Sequence, residues 1–409
     1  METVVIGAGW AGLGVSYELR RRGVRHVVLE RGRIGETWRT QRWDAFRLNT
    51  TTADTLMPGE TYDGPDPDGA LTHFEFIALL QDYARRHGLP VEEGRAVTAV
   101  SKGDNGDFVL EAGGATVCAR NVVIASGSLN HPRPRPVWAN SLALPQIDAC
   151  SYRNAERLPA GPVLVVGSGQ SGAQIAYDLV CAGRSVYLST GSVGRLVRRY
   201  RGKDTLRWLD DSGFMEVSRA ELIAASPDGR LRGRGVIGAT RTLSLQFLSA
   251  EGVALVGRLD GLSGDGVLTF HDDVIANIRL GDEISARVKD WIDAFIARAG
   301  IDAPPAEDDP AETVAPRLPD PPIRALDVSS LGCIIWCTGL RGDYSYVDIA
   351  GVLDGQGQPI HENGVGIVPG VFFAGLDFGT KRKSGTIRAV CEESAFFAAL
   401  IAERLAGRG

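Results

Sequence analysis

The sequence is short of three things, and each absence narrows what the protein can be. It has no run of about 18 apolar residues, the length that a membrane-spanning helix requires. Its first apolar stretch, TVVIGAGWAGLGV, is broken by glycines and has no basic leader, so neither a secretory signal nor a membrane span is predicted and a cytoplasmic protein is expected. None of the six cysteines (Cys118, Cys150, Cys181, Cys333, Cys337 and Cys391) belongs to a C-x-x-C pair. In a chain of 409 residues that pattern fits buried thiols in a reducing compartment, not a disulfide framework. Cys333 and Cys337 share one face of the run LGCIIWCTG. That run carries no His, Asp or Glu, so no metal is expected there. Finally, no block of one charge occurs, and the formal net charge is −6. A nucleic-acid binder would be expected to show a basic excess.

Glycine is what the sequence has in plenty, with 51 residues. Many of them fall at turns between apolar runs and helical patterns, where phosphate loops and tight turns need them. Comparing the chain with itself makes this specific. Residues 3–32 read TVVIGAGWAGLGVSYELRRRGVRHVVLERG, and residues 163–191 read VLVVGSGQSGAQIAYDLVCAGRSVYLSTG. Gly7, Gly9 and Gly12 correspond to Gly167, Gly169 and Gly172 at a constant offset of 160. Gly23 and Gly183 correspond as helix stops. Each block is a βαβ unit of the kind the dinucleotide fingerprint demands. Its first glycine makes the turn, its second admits a pyrophosphate, and its third lets helix and strand pack closely. The helix start then offers N–H groups and the positive end of its dipole to the phosphates.

The two copies differ where ligand choice is made. The first places Glu30 at the end of its second strand, where a carboxylate accepts hydrogen bonds from ribose hydroxyls. The second has Ser189 and Thr190 there, followed by Arg195, Arg198, Arg199, Arg201 and Lys203. Hydroxyls and guanidiniums would hold a 2′-phosphate that a carboxylate would repel. The first site is therefore expected to take a dinucleotide with a free ribose, and the second to prefer NADPH.

The remaining pattern is coarser. Residues 72–88 predict an amphipathic helix, with Thr72 and Glu75 as a capping box and Phe76, Leu79, Leu80 and Tyr83 as its stripe. Residues 95–126 predict a β-meander, and NHPRPRP an irregular connector. A second helix is predicted over 282–299, with Ile284, Val288, Trp291, Ile292 and Phe295 on one face. Residues 302–322, with seven prolines and six acids, predict a linker or strap. CIIWCTG and GVFFAGLD predict buried strands, and a final helix runs from about Thr386 to Arg404. The expected class is α/β with two Rossmann-like dinucleotide-binding domains. The first comprises residues 1–155 and 323–409, and the second, 156–322, is inserted into it with a divergent helical portion.

These motifs together carry a family resemblance. GAGWAG, Glu30, IGETWRTQRWDAFRLNT, the strand ending IASG, GSGQSG and CTGLRGDYSYV occur in an order that resembles the class B flavoprotein monooxygenases, especially bacterial flavin-containing ones and their plant auxin-pathway relatives. The resemblance implies FAD and NADPH as cofactors. It also implies a C4a-(hydro)peroxyflavin that delivers one oxygen atom from O2 to a small organic substrate at nitrogen, sulfur or a carbonyl carbon. By position it implies Gly7, Gly9, Trp10, Ala11, Gly12, Glu30 and Arg31 on FAD, with Thr37, Trp38 and Arg39 along the flavin. Val97, Gly127 and Gly339 join the cofactor contacts. Asn49 is implied as the catalytic residue beside flavin and nicotinamide. Gly167, Ser168, Gly169, Gln170 and Ser171 form the NADPH phosphate loop, with Ser189, Arg195 and Arg199 at its ribose end. A monomer or homodimer is expected, with no nucleic-acid or membrane partner. One departure stands out: Asp148 falls where the family has a histidine, while Tyr152 and Arg153 are retained. It keeps open the alternative of an FAD-dependent NAD(P)H oxidase or reductase.

Overall fold

A computed structural model of the protein describes residues 1–231 and 233–407. Each glycine elbow sits at the centre of its own parallel sheet. In the first sheet, strand Thr3–Ile6 pairs with His26–Leu29 on one side and Asn121–Ile124 on the other. Val91–Glu92 and Val371–Phe373 continue it in the same direction. The antiparallel strands His361–Glu362 and Val365–Gly366 finish one edge. In the second sheet, Val163–Val166 lies between Val186–Ser189 and Cys333–Trp336. Ala254–Val256 and Gln146–Asp148 are its outer strands, and every pairing is parallel. All four residues are buried in each of Thr3–Ile6, Asn121–Ile124, Val163–Val166 and Cys333–Trp336. A parallel strand covered on both faces has no solvent side, which is why these segments read as near-continuous apolar runs.

The hydrogen bonds cut the chain differently from the expected boundaries at 155 and 323. Cys333–Trp336 was expected to return to the first sheet, but it pairs with the second, Val163 opposite Cys333 and Val166 opposite Trp336. Gln146–Asp148, expected in the first domain, lies at the outer edge of the second sheet. Val371–Phe373 does return to the first sheet. CIIW and VFF are alike as sequences, and nothing local to a short apolar run says which of two similar sheets will take it.

The proline-rich connector is not wholly irregular: His131–Pro132 pairs antiparallel with Leu340–Arg341, so two chain crossings run side by side. The meander is present as Val97–Lys102, Phe108–Ala112 and Ala115–Ala119. The helix expected over 72–88 spans His73–Arg86 and carries the expected capping box. Ile77 is buried on it, whereas Leu79 is only partly so. The second helix is longer than expected, Val274–Ala299. Trp291 stays 44% exposed on it, with its indole N–H donating to Ser212 Oγ at 2.9 Å. The acidic strap packs against this helix through the Glu312–Lys289 ion pair. The last helix spans Val390–Ala406 after a single 3₁₀ turn, Ile387–Ala389. Among the described residues no helix is long and apolar enough to cross a membrane, and no group of three or more His, Cys, Asp or Glu could hold a metal ion.

His361, at the edge of the first sheet, gives this fold a pH dependence. Its Nδ1 accepts a hydrogen bond from Gly364 N at 3.0 Å. Burial, with Arg219 nearby, holds its pKa down at about 4. The folded value lies below the unfolded one, so stability is full above pH ~6.5 and declines as the pH falls toward 4. His361→Gln is expected to remove this component. Urea midpoints at pH 7 and pH 4.5 should then differ less in the variant than in the parent, and an equal difference would reject the assignment.

Candidate active site

The two elbows share one geometry. Gly7 has φ +104° and Gly167 φ +100°, values that L side chains rarely adopt. A Cβ on Gly7 would lie 2.6 Å from Ala125 O, and one on Gly167 would lie 2.6 Å from Cys337 O. At Gly12 and Gly172 a Cβ would strike the carbonyl oxygens of Gly7 and Gly167. The middle glycines are different, since a Cβ on Gly9 or Gly169 would meet nothing within 4 Å. The polypeptide itself therefore makes no demand for glycine there.

The helices beginning at these elbows point to what does. Gly9 and Gly169 are the N-caps of Trp10–Arg21 and Gln170–Cys181, and neither helix has a side-chain cap or an acidic residue in its first turn. Thr72, Asp204, Ser218 and Ser244 cap other helices, whereas Glu36–Thr40, Val274–Ala299 and Val390–Ala406 also begin without a side-chain cap. Among the described residues, only the two helices at the elbows start on a glycine turn that follows a central parallel strand. An uncapped helix start with its dipole unopposed favours an anion. Both cradles thus fit the diphosphate of a dinucleotide.

A cavity of about 540 Å³ extends from the first elbow. Gly7, Gly9, Trp10, Ala11, Glu30, Arg31, Thr37, Trp38, Val97 and Gly127 all line it. Glu30 is buried, and its two oxygens accept from Ala8 N at 2.7 Å and Gly32 N at 2.9 Å. Those bonds orient the carboxylate and leave lone pairs for ribose hydroxyls. Trp38 stands edge-on to Phe76, with ring centroids 4.8 Å apart. Gly12 lies behind the cavity as a packing glycine. Arg39 is not in its lining, and its Nε is buried without a partner.

Other lining residues escaped the sequence reading. Arg42 stacks 4.6 Å over the Trp38 ring, and burial draws its guanidinium down to about 10. Tyr346 donates to Ser126 Oγ at 2.8 Å, and burial raises its phenol. Ser128 donates to Gly375 O at 3.0 Å. Their one sequence signal is position: Arg42 in IGETWRTQRWDAFRLNT, Tyr346 in CTGLRGDYSYV and Ser128 just after a buried apolar strand.

The second elbow is braced from within. Gln170 donates to Ile237 O at 2.8 Å and accepts from Ile237 N at 3.1 Å. Ser168 is buried and accepts from Gly191 N at 3.1 Å. Ser171 lies in the first turn of its helix. The residues expected at the 2′-phosphate are engaged elsewhere. Ser189 is buried, donating to Gly257 O and accepting from Leu259 N, each at 3.0 Å. Arg195 is also buried, donating to Ser168 O at 2.8 Å and Leu243 O at 2.9 Å. Burial lowers its guanidinium to about 10. Arg199 points outward to Asp68 at 2.9 Å. Arg195 therefore acts as a strut beneath the second glycine turn. We expect Arg195→Ala to raise KM for NADPH and NADH by similar factors in steady-state assays. A rise confined to NADPH would restore the 2′-phosphate role.

Asn49 lies at the seam of the two domains, where its Oδ1 accepts from Gln174 Nε2 at 3.0 Å. Gly339 lies at the chain crossing, where its carbonyl accepts from Arg133 N at 3.1 Å, and does not line the cavity. Asp148 is held by Arg135 through two bonds of 3.1 and 2.7 Å.

Comparison with known proteins agrees with this geometry. The pyridine nucleotide-disulphide oxidoreductase family matches residues 4–226. An uncharacterized CzcO-like oxidoreductase of Geobacillus kaustophilus is 29% identical over 95% of both chains. Indole-3-pyruvate monooxygenase YUCCA1 of Oryza sativa is 31% identical over 50% of this chain and 53% of its own. The flavin-containing monooxygenase of Stenotrophomonas maltophilia has the same fold, with a TM-score of 0.65 at 20% identity over 99% of this chain and 98% of that one. The resemblance read from the motifs is thus matched by relatives and by fold. The family match runs through both elbows and both uncapped helix starts, and the chain is an NAD(P)H-dependent flavoprotein belonging to the pyridine nucleotide-disulphide oxidoreductase family.

Proposed function

We propose that the protein is an FAD-dependent, NADPH-consuming monooxygenase that places one atom of O2 into a small organic substrate at nitrogen, sulfur or a carbonyl carbon. One observation carries the reading: an asparagine, Asn49, sits where a domain with one diphosphate cradle meets a domain with another. FAD, when bound, takes hydride from NADPH and activates oxygen. The chain's part is to hold, orient and keep dry. The first elbow and Glu30 hold the FAD diphosphate and ribose, and the second elbow holds the NADPH diphosphate. Trp38, packed between Phe46 and Phe76, forms an apolar wall that limits water. Asn49 offers an amide N–H to the reacting region. In this reading the strands of the first sheet carry the FAD domain and those of the second sheet carry the NADPH domain.

The relatives named as monooxygenases support this reading. All six cysteines are free and none lies in a C-x-x-C pair, so no thioredoxin-like redox pair of that spacing is present. A second reading, an NAD(P)H oxidase releasing peroxide, is favoured by Asp148, which stands at the family's histidine position locked to Arg135. The test is to supply NADPH and heavy-isotope dioxygen with panels of amines, sulfides and ketones. The expected product gains one labelled oxygen atom. Peroxide equal to the NADPH consumed, with no labelled product from any panel, would give the oxidase. A colourless protein that cannot be reconstituted with FAD would defeat both.

A further inference from the structure

We infer that Gln174 and Arg198 are positioning residues that set Asn49, so that the second domain completes the reacting site of the first. The inference rests on the role given to Asn49 above. Asn49 follows the Arg47–Thr72 bridge, in backbone that is neither helix nor strand. Its fixed partners come from the other domain. Gln174 Nε2 donates to its side-chain Oδ1 at 3.0 Å, and Arg198 Nη1 donates to its main-chain carbonyl at 2.8 Å.

Both donors are themselves held. Gln174 lies on Gln170–Cys181, the helix that starts at the second diphosphate cradle. It is one turn beyond Gln170, which is clamped to Ile237. Arg198 is 6% exposed. Its Nε donates to Asp204 Oδ2 at 2.7 Å, and its Nη1 also reaches Gly238 O at 3.0 Å. With its oxygen held by Gln174, Asn49 has its NH2 group left to donate. A donor there stabilises negative charge developing on a reacting oxygen, whereas the amide turned round would oppose that charge with its own oxygen. The correct orientation therefore exists only while the helix from the NADPH cradle is docked against residue 49.

Two variants and two measurements test this. In the apo-protein, a double-mutant cycle of Asn49→Ala and Gln174→Leu, read by urea denaturation, is expected to be non-additive. In the holoenzyme at saturating NADPH, Gln174→Leu and Gln174→Glu are each expected to raise peroxide released per NADPH several-fold. NADPH should still bleach the flavin within twofold of the parent rate. Glu has the shape of Gln but, once ionised, no donor. Its excess peroxide is expected to fall as the pH is lowered and the carboxyl regains a proton, a response that a packing role does not produce. An additive cycle overturns the inference. A coupled cycle with parental peroxide ratios in both variants overturns its functional half. Failure of the monooxygenase reading shows separately, as a parent protein that oxygenates nothing, and there the cycle still decides whether the two amides are joined.

Discussion

Gly9→Val should give a folded but colourless protein, whereas Gly169→Val should give a folded yellow one that NADPH reduces poorly. A Cβ at either position meets no atom within 4 Å. Both residues have backbone angles open to any L residue, φ −83° at Gly9 and −69° at Gly169. Valine is a poorer N-cap than glycine, so a stability loss of about 1 kcal/mol is expected. The isopropyl group enters the space assigned to a diphosphate. Loss of even 1.4 kcal/mol of binding free energy is roughly tenfold in affinity, and a steric block exceeds that. Flavin absorbance after purification reads the first variant, and KM for NADPH reads the second. Gly7→Val is the control. At φ +104° and 2.6 Å from Ala125 O, it should fail to fold instead of failing to bind. Normal FAD content in Gly9→Val would remove the diphosphate from that elbow.

Arg198→Leu should destabilise the fold by about 3–5 kcal/mol, and Arg199→Leu by under about 1 kcal/mol. The two arginines are neighbours with opposite surroundings. Arg198 and its partner Asp204 are 6% and 2% exposed, so removing the cation leaves a carboxylate in the interior. The carbonyls of Asn49 and Gly238 lose their donor as well. Arg199 pairs with Asp68 near water, where both side chains stay hydrated after the change. A shift on the order of 10 °C in Tm is expected for Arg198→Leu. Adding Asp204→Leu should recover only the part due to the unpaired charge, because the cap on Leu206 N and the donor to the two carbonyls stay lost. Equal shifts for Arg198→Leu and Arg199→Leu in matched urea titrations would show that burial does not separate them.

Some features are legible in the sequence because the demand they meet is local. A left-handed φ at Gly7, a helix packed on its own strand at Gly12 and a cap at Thr72 are settled within a few residues. Glu30 was legible for a related reason, since the length of a βαβ unit places the end of its second strand beside the first turn. The arginines after Ser189 were legible as charge but not as function. Whether a guanidinium faces a ligand, a carbonyl or a carboxylate depends on Leu243 and Asp68, in other parts of the chain, and on the hairpin that turns Asp204 back onto Arg198.

By itself the sequence determined two dinucleotide elbows, their sheets and the carboxylate that closes the first of them, since backbone sterics and strand burial act over short distances. Tertiary structure decided which sheet received Cys333–Trp336, that Arg195 became a strut, and that Asn49 met Gln174 across 125 positions of chain. Such pairings depend on how two separately formed layers pack together, and no local pattern encodes that packing.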